Sequence, residues 1–167
     1  MFSRQENNLP RYRQSRPTKE KALQKIRHFC SYQERSHMEV KEKLFSLGVW
    51  KKDVDEIISQ LIEENYLNEE RFARQFAGGK FRAKNWGRVK IKYELKQKQV
   101  SEYCIARALT EIDEVAYEKA FQKLALKKIK ELKSEKNIFT KKRKIRDYLL
   151  QKGYEFDLIN KLLNSEL

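Results

Sequence analysis

The sequence VKEKLFSLGV, residues 40–49, recurs in related form twice along the chain. The other copies are IKYELKQKQV at 91–100 and IRDYLLQKGY at 145–154. Each copy begins with a β-branched apolar residue and has leucine four positions later, so both side chains fall on one face of a helix. The spacing therefore predicts the same amphipathic helix three times.

Two of the three copies have glycine as their second-to-last residue. Gly48 and Gly153 stand where a helix C-cap takes a residue of positive φ, and Gln99 holds that place in the middle copy. Another apolar pattern of helical spacing follows each copy. A longer helix is expected before each copy, and we predict these long helices near 18–34, 69–83 and 114–135.

The chain thus reads as three tandem three-helix units with a period of about fifty residues. Small units of this kind bury enough apolar surface only by packing on their neighbours, which gives elongated, curved arrays. We expect an all-α, helix-turn-helix-like repeat protein. The predicted segments are a mobile basic tail at 1–17 and units at 18–67, 68–113 and 114–167.

Composition favours the same fold class. The 167 residues include only five glycines and two prolines, and both prolines lie within the first 17 residues. Apolar residues make up 40% and charged residues 37%. That balance supports small helical units with modest cores more than one thick globule.

Charge is distributed unevenly. The formal net charge is +14, yet residues 20–67 carry eight lysines and arginines against nine acids. Residues 68–113 carry eleven against six, and residues 114–167 carry fourteen against eight. A field of this sign attracts nucleic acid, acidic protein surfaces or anionic lipid. The asymmetry predicts a working face on the second and third units.

Four motifs in order carry a family resemblance. They are RSHMEVKEKLFSLGV at 35–49, YLNEERFA at 66–73, GRVKIKYELKQKQV at 87–100 and YLLQKGYEFDLI at 148–159. The chain resembles the RecX regulatory proteins, bacterial modulators of the RecA recombinase, over roughly residues 20–165. The resemblance implies an elongated helical protein that binds along the RecA filament in its helical groove. It also implies negative control of recombination, filament growth and ATP hydrolysis, with no catalysis of its own.

The sequence departs from the family pattern at two places. Asn68-Glu69 stands where an acidic pair is usual, and Gln99 replaces the usual glycine. The second change puts the geometry of one turn in doubt more than the function.

The stretch GGKFRAKNWGRVKIKYEL, residues 78–95, mixes cations with aromatic residues. If Ile91 and Leu95 face inward, Tyr93 falls on the opposite side of the helix together with Val89, Lys92 and Lys96. Exposed aromatic residues beside cations suit protein interfaces and nucleic-acid strands. Each charge run taken alone also fits an ordinary solvated face. The candidate partner- or nucleic-acid-binding residues are Arg71, Arg74, Arg82, Lys84, Arg88, Lys90, Lys92, Tyr93, Lys96, Lys141, Lys142, Arg143 and Lys144.

Other residues have structural interpretations. Ser36 and Glu39 have the spacing of a capping box. Phe72 and Phe76, with Ala83, are expected to pack the second long helix on the core. Trp86 is expected to pack at the start of the following helix, and residues 141–144 are expected near the start of theirs.

Catalytic and metal-binding patterns are missing from the sequence. Cys30 and Cys104 are too few and too isolated for a disulfide framework or a zinc site, and reduced cytosolic thiols are the simpler interpretation. We expect no cofactor, no metal and no catalytic residue. We also expect no membrane partner, because no apolar run approaches the ~20 residues of a transmembrane helix. The protein is expected to be a cytoplasmic monomer.

Three functions remain open. One is a regulator of the RecA filament, which only the resemblance implies. Another is a general nucleic-acid-binding scaffold, with single- and double-stranded DNA as possible partners. The third is a helix-turn-helix DNA-binding regulator, although its second helix, SEYCIARALTEI at 101–112, carries few base-reading side chains at its start. An enzyme is less favoured than any of these.

Overall fold

A computed structural model describes residues 17–165. These residues form nine α-helices and no strand, which confirms the all-α prediction and the triple grouping of one long helix followed by two more. The prediction for the basic tail falls almost wholly on residues 1–16, outside the described part. The helices are α1 Lys19–Tyr32, α2 His37–Ser46, α3 Lys51–Glu63, α4 Glu69–Lys84, α5 Arg88–Gln97, α6 Glu102–Leu109, α7 Glu114–Glu131, α8 Ile138–Lys152 and α9 Phe156–Ser165.

We call α1–α3, α4–α6 and α7–α9 the first, second and third units; their boundaries along the chain stay a prediction. The prediction for α7 was wrong in length, because this helix ends at Glu131 and not near residue 135. Because Asn137 caps α8, residues 132–136 form the turn between the two helices.

Helix starts follow from local polar residues. The amide of Glu39 donates to Ser36 Oγ at 3.1 Å, and the Ser36 amide donates to a Glu39 carboxylate oxygen at 3.0 Å. The expected capping box is therefore confirmed. Single side-chain caps begin five other helices, and such caps contribute about 1 kcal/mol each. Those caps are Thr18, Asn68, Ser101, Asp113 and Asn137.

The three equivalent turns share one backbone conformation. Gly48 has φ 83°, Gly153 has φ 90° and Gln99 has φ 57°. Gln99 thus adopts the left-handed geometry that glycine adopts in the other two copies. The fold tolerates the departure, at a cost of about 1 kcal/mol for a side chain in this region.

Within the described residues, the buried apolar side chains form two cores and not three. Side chains of the first unit, with Ile26, Leu44 and Ile57 fully buried, make one cluster. The second and third units share another, much larger cluster that runs from Phe72 to Leu163. The expectation that neighbours complete each core holds for these two units, whereas the first unit encloses a core of its own.

The second and third units meet through backbone as well as side chains. The Gly87 amide donates to the Lys152 carbonyl at 2.8 Å, and the Val89 amide donates to the Gly153 carbonyl at 3.0 Å. A Cβ on Gly87 would lie 2.5 Å from the amide nitrogen of Tyr154 and overlap the Gly153 carbonyl group. This close approach requires glycine.

Tyr117 anchors the same boundary. Its buried hydroxyl accepts from the Arg88 amide at 3.0 Å and donates to a Glu155 carboxylate oxygen at 2.7 Å. Its ring lies 5.1 Å from that of Tyr154 between centroids. Burial raises the pKa of the Tyr117 hydroxyl and raises that of Tyr154 to about 12, so both stay neutral donors at physiological pH.

Polar contacts join the first unit to the second. Lys98 Nζ lies 2.7 Å from a Glu39 carboxylate oxygen, and Arg71 Nε lies 2.6 Å from Glu34. Arg71 also donates to the side-chain and main-chain oxygens of Asn65 at 2.9 and 3.0 Å. The two boundaries therefore differ: the second and third units share a buried apolar core in addition to their polar contacts, whereas the first unit has a core of its own.

The expected core face of α4 was wrong in one residue. Ala83 is exposed, Phe76 is half-buried and Phe72 is buried. The small residues Ala73 and Ala77 centre the buried face, because they let α4 pack closely on α6. The prediction gave weight to large side chains such as Phe76, which lies at the margin of the buried face.

Candidate binding surface

The outward face of α5 is arranged as the sequence predicts. Ile91 and Leu95 are fully buried, whereas Val89 and Tyr93 are 53% and 59% exposed. At about 100° per residue, Lys90 flanks Tyr93 on one side, and Lys92 and Lys96 lie beyond Val89 on the other. An aromatic and an apolar side chain therefore lie exposed between cations.

A cluster of ammonium groups surrounds Trp86. Lys90 Nζ lies 4.8 Å from the indole centroid, Lys80 Nζ 5.3 Å and Lys84 Nζ 5.4 Å. None of the three forms an ion pair among residues 17–165; Lys90 donates only to the Gln151 carbonyl, at 3.3 Å. We call Trp86 with Lys80, Lys84 and Lys90 the tryptophan–lysine cluster. Cations on an indole face gain roughly 0.5–1 kcal/mol each when exposed, and they keep their positive charge available to an anion.

Local sequence builds this cluster. Lys80 and Lys84 are one turn apart on α4, and Asn85 ends that helix in the left-handed region with φ 50°. The turn brings Trp86 back against the core of the second and third units, where it is partly buried as predicted. Lys80 was not among the predicted candidates, although its spacing of four from Lys84 was a visible signal.

A neighbouring cleft limits the positive surface. This cleft between the first and second units has a volume of about 420 Å³. Its lining includes Lys80, Lys84 and Lys98 together with Glu34 and Glu39. One carboxylate oxygen of Glu34 is buried and has no hydrogen-bond partner. The acids make this cleft a poor path for a polyanion.

Several predicted candidates are already ion-paired. Arg74 pairs with Glu70 at 2.8 Å and with Glu111, and Arg88 pairs with Glu114 at 2.6 Å. The hydrogen bond with Glu114 raises the pKa of Arg88 despite partial burial. The Arg88–Glu114 pair links α5 to α7, whereas Arg74 and Arg71 join α4 to the turns after α6 and α1 through Glu111 and Glu34. A ligand would have to compete with these pairs.

The two outward lysines of α5 share one carboxylate. Lys96 Nζ lies 2.5 Å and Lys92 Nζ 3.4 Å from oxygens of Glu102. The hydrogen bond from Lys96, followed by the charge of Lys92, lowers the pKa of Glu102. Lys144 similarly pairs with Glu135 at 2.8 Å.

The remaining candidates have no ion pair within residues 17–165. They are Arg82, Lys84, Lys90, Lys141, Lys142 and Arg143. Arg82 folds over Gly78, where an added Cβ would lie 2.7 Å from its Nη1 atom. The expected position of residues 141–144 near a helix start was only partly right, because α8 begins at Ile138 and carries these cations into its second turn. The binding role of every candidate stays a prediction.

Both cysteine thiols are buried. Burial raises the pKa of the Cys30 thiol to about 11 and also raises that of Cys104, so neither forms a nucleophile at neutral pH. Among residues 17–165 no three His, Cys, Asp or Glu side chains are grouped to hold a metal ion. In the same part of the chain, no helix has the length and apolarity that crossing a bilayer requires.

Comparison with known families decides the relationship. The model described as "RecX, second three-helix domain" matches residues 68–109, and "RecX, third three-helix domain" matches residues 116–163. The chain belongs to the RecX family. The resemblance drawn from the four sequence motifs is thereby confirmed.

Named RecX proteins align along most of this chain. It is 33% identical over 134 residues to the regulatory protein RecX of Clostridium tetani, covering 80% of this chain but 61% of that one. It is 29% identical over 147 residues to the regulatory protein RecX of Prosthecochloris aestuarii, covering 88% and 94%. The chain therefore spans about three-fifths of the clostridial RecX and nearly all of the other.

Solved RecX structures share the fold. The crystal structure of RecX from Lactobacillus salivarius gives a TM-score of 0.76 at 26% identity, over 87% of this chain and 94% of that one. A crystal structure of regulatory protein RecX gives a TM-score of 0.79 at 22% identity, which supports the fold alone. RecX is a family of regulatory proteins, and the three-helix units are its common architecture.

Proposed function

We propose that this RecX family member is a non-enzymatic regulator that binds the RecA–DNA filament, in the helical groove, and lowers recombinase and ATPase activity. Such an activity would place it in DNA recombination, repair and the SOS response of the bacterial cytoplasm. One observation carries the proposal: the tryptophan–lysine cluster presents, around one indole, three ammonium groups that have no ion pair among residues 17–165. The relatives' name, regulatory protein, supports a role without catalysis.

Charge and shape are the physical basis. A filament groove offers acidic protein side chains and the phosphates of bound DNA. Cations without an ion pair in the described part of the chain can contact such groups without breaking one first, whereas Arg74 and Arg88 cannot. Repeated weak contacts along successive filament subunits would add up through avidity.

A general nucleic-acid scaffold is the second candidate. The same cluster favours it, because aromatic residues beside lysines hold single strands without sequence preference. A helix-turn-helix reader is disfavoured, since α6 begins with Glu102, whose carboxylate binds Lys92 and Lys96. An acid at that place repels the phosphates that such a helix must approach.

The deciding experiment measures RecA ATP hydrolysis on single-stranded DNA while this protein is added below one molecule per RecA subunit. A fall in rate at such ratios is expected of a filament regulator, because each bound molecule would affect several subunits. An unchanged rate with intact DNA binding would reject the regulator and leave the scaffold.

The outward face of α5 can be tested in the same assay. Charge reversal of Lys92 and Lys96 would set three acids together around Glu102, so neutral substitution is cleaner. The Lys92→Gln/Lys96→Gln variant should retain its fold and inhibit less. Full inhibition by that variant would remove this face from the proposal.

A further inference from the structure

The first unit contains a second positive site, in the part of the chain with no net positive charge. A concavity of about 370 Å³ opens between α1 and α2. Residues of α1, of the following turn and of α2 line it: Lys25, His28, Phe29, Tyr32, Arg35, Lys43 and Leu47. No carboxylate is among these lining residues.

Phe29 forms the floor and fixes the cations above it. The Arg35 guanidinium carbon lies 3.9 Å from the ring centroid, and Lys43 Nζ lies 5.7 Å from it. Arg35 Nε also donates to the Phe29 carbonyl at 3.4 Å. Two charged groups from different segments therefore converge on one ring.

These cations are not neutralised from within the described chain. Lys25, Arg35 and Lys43 form no ion pair among residues 17–165. Two acids lie near Arg35, but both have other partners: Glu39 is hydrogen-bonded to Lys98 and to the Ser36 amide, and Glu34 pairs with Arg71. The concavity thus keeps its positive charge for an external partner.

The walls add apolar surface to this charge. Tyr32 is 81% exposed at the rim, and Leu47 borders the opposite side. A ligand that satisfies both features carries acidic groups next to an apolar side chain. An acidic peptide has that chemistry.

The surroundings separate a peptide from a nucleic-acid strand. Residues 20–67 carry eight cations against nine acids, so beyond the concavity the first unit offers no track of positive charge. A strand leaving the site would lose its electrostatic support, since phosphate contacts supply most of such affinity. A short peptide would make all of its contacts within the concavity itself.

We propose that the Phe29 concavity binds a short acidic peptide segment of a partner protein, with its apolar side chain against Phe29 and Leu47. The site is separate from the tryptophan–lysine cluster and does not depend on the function proposed for that cluster. It gives the first unit a binding role of its own.

The test uses the full chain and a fluorescein-labelled peptide, Glu-Glu-Leu-Phe-Glu-Glu, with binding followed by fluorescence anisotropy. The Lys25→Gln/Lys43→Gln variant should bind about tenfold more weakly, as expected for two partly exposed charge contacts. The matched control is Lys51→Gln/Lys52→Gln, which removes two exposed charges from α3 and should bind within about twofold of the parent. Circular dichroism must show equal helicity for all three proteins.

Two further ligands, a serine-substituted peptide and an oligothymidine, test whether the site requires apolar side chains and whether it prefers a peptide to a nucleic-acid strand. A peptide with serine in place of leucine and phenylalanine should bind more weakly than the parent peptide. Equal affinity of the serine peptide, or equal loss in the control variant, would overturn the proposal. It would also be overturned if a labelled oligothymidine bound as tightly and lost as much affinity in the Lys25→Gln/Lys43→Gln variant, because the site would then be a polyanion site.

Discussion

Gly87 and Gly153 face each other across the boundary between the second and third units. The Gly153 carbonyl accepts from the Val89 amide, and a Cβ on Gly153 would lie 2.6 Å from the amide nitrogen of Lys90. Two backbone segments therefore touch directly in the middle of the larger core. A side chain at either glycine would push the units apart.

The Gly87→Ala variant should be less stable by about 1–3 kcal/mol, because an added methyl group has no space there. The measurement is urea unfolding followed by circular dichroism. Gly79→Ala is the matched control, since nothing lies within 4 Å of its added Cβ. That control should gain about 0.5–1 kcal/mol from alanine's helix propensity. A stable Gly87→Ala protein would contradict the close contact.

The turn after α5 offers a gain in stability. Gln99 has φ 57°, the same region as Gly48 at 83°. Gln99→Gly should therefore stabilise the chain by about 0.5–1 kcal/mol, because the released strain exceeds the added flexibility of the unfolded state. The reciprocal Gly48→Ala change should cost about 1–2 kcal/mol. Thermal melting of both variants checks the pair, and a Gln99→Gly protein that melts lower would refute the interpretation.

Acid should loosen the joint between the first and second units. Burial alone would raise the pKa of Glu39, but hydrogen bonds from Lys98 and from the Ser36 amide, with the charges of Lys98 and Arg35, lower it overall. A carboxyl with a lowered pKa in the folded state adds stability at neutral pH. That stability is lost as pH falls from the ordinary value of about 4.3 through the folded-state pKa.

Urea unfolding at pH 7 and pH 3 measures this loss. Glu39→Gln keeps a capping-box side chain but removes the charge, so its stability should fall by about 1 kcal/mol less than that of the parent between the two pH values. Glu42→Gln, an exposed change on the same helix, should follow the parent. Identical acid losses for Glu39→Gln and the parent would rule out the Lys98 contact as a stabilising pair.

The tryptophan–lysine cluster can be separated from general positive charge. Lys80→Gln/Lys84→Gln/Lys90→Gln should weaken single-strand binding and reduce the slope of log affinity against log salt by about 2, at roughly 0.7 per phosphate. The control removes three exposed lysines from α7: Lys123→Gln/Lys127→Gln/Lys130→Gln. Filter binding at several salt concentrations measures both slopes. Equal effects in the two triple variants would mean that only net charge matters.

Much of the fold could be predicted from the sequence. Apolar spacing such as Ile91 with Leu95 predicted each central helix, and Ser36 with Glu39 predicted a cap, because both signals are local. The core shared by the second and third units could not be predicted from the sequence. The packing of Tyr117 on Tyr154 joins distant residues through tertiary contacts that no periodicity records.

The ion pairing of the candidate residues could not be predicted, for the same reason. Charge runs identified Lys84 and Lys90, and helix phase gave the exposure of Tyr93. Whether a cation is free depends on which acid the fold brings near it. Arg74 meets Glu111 and Arg88 meets Glu114 only because separate helices pack together.

The boundary between the first and second units differs from the boundary between the second and third, because only the latter lies within a shared apolar core. Contacts of Lys98 with Glu39 and of Arg71 with Glu34 are ionic and partly exposed, and dissolved salt screens such pairs. Apolar packing between the second and third units is instead strengthened by a salt such as sodium sulfate. Ionic strength should therefore act differently on the two boundaries: added salt weakens the polar contacts of the first unit, while the shared core keeps the six carboxy-terminal helices together.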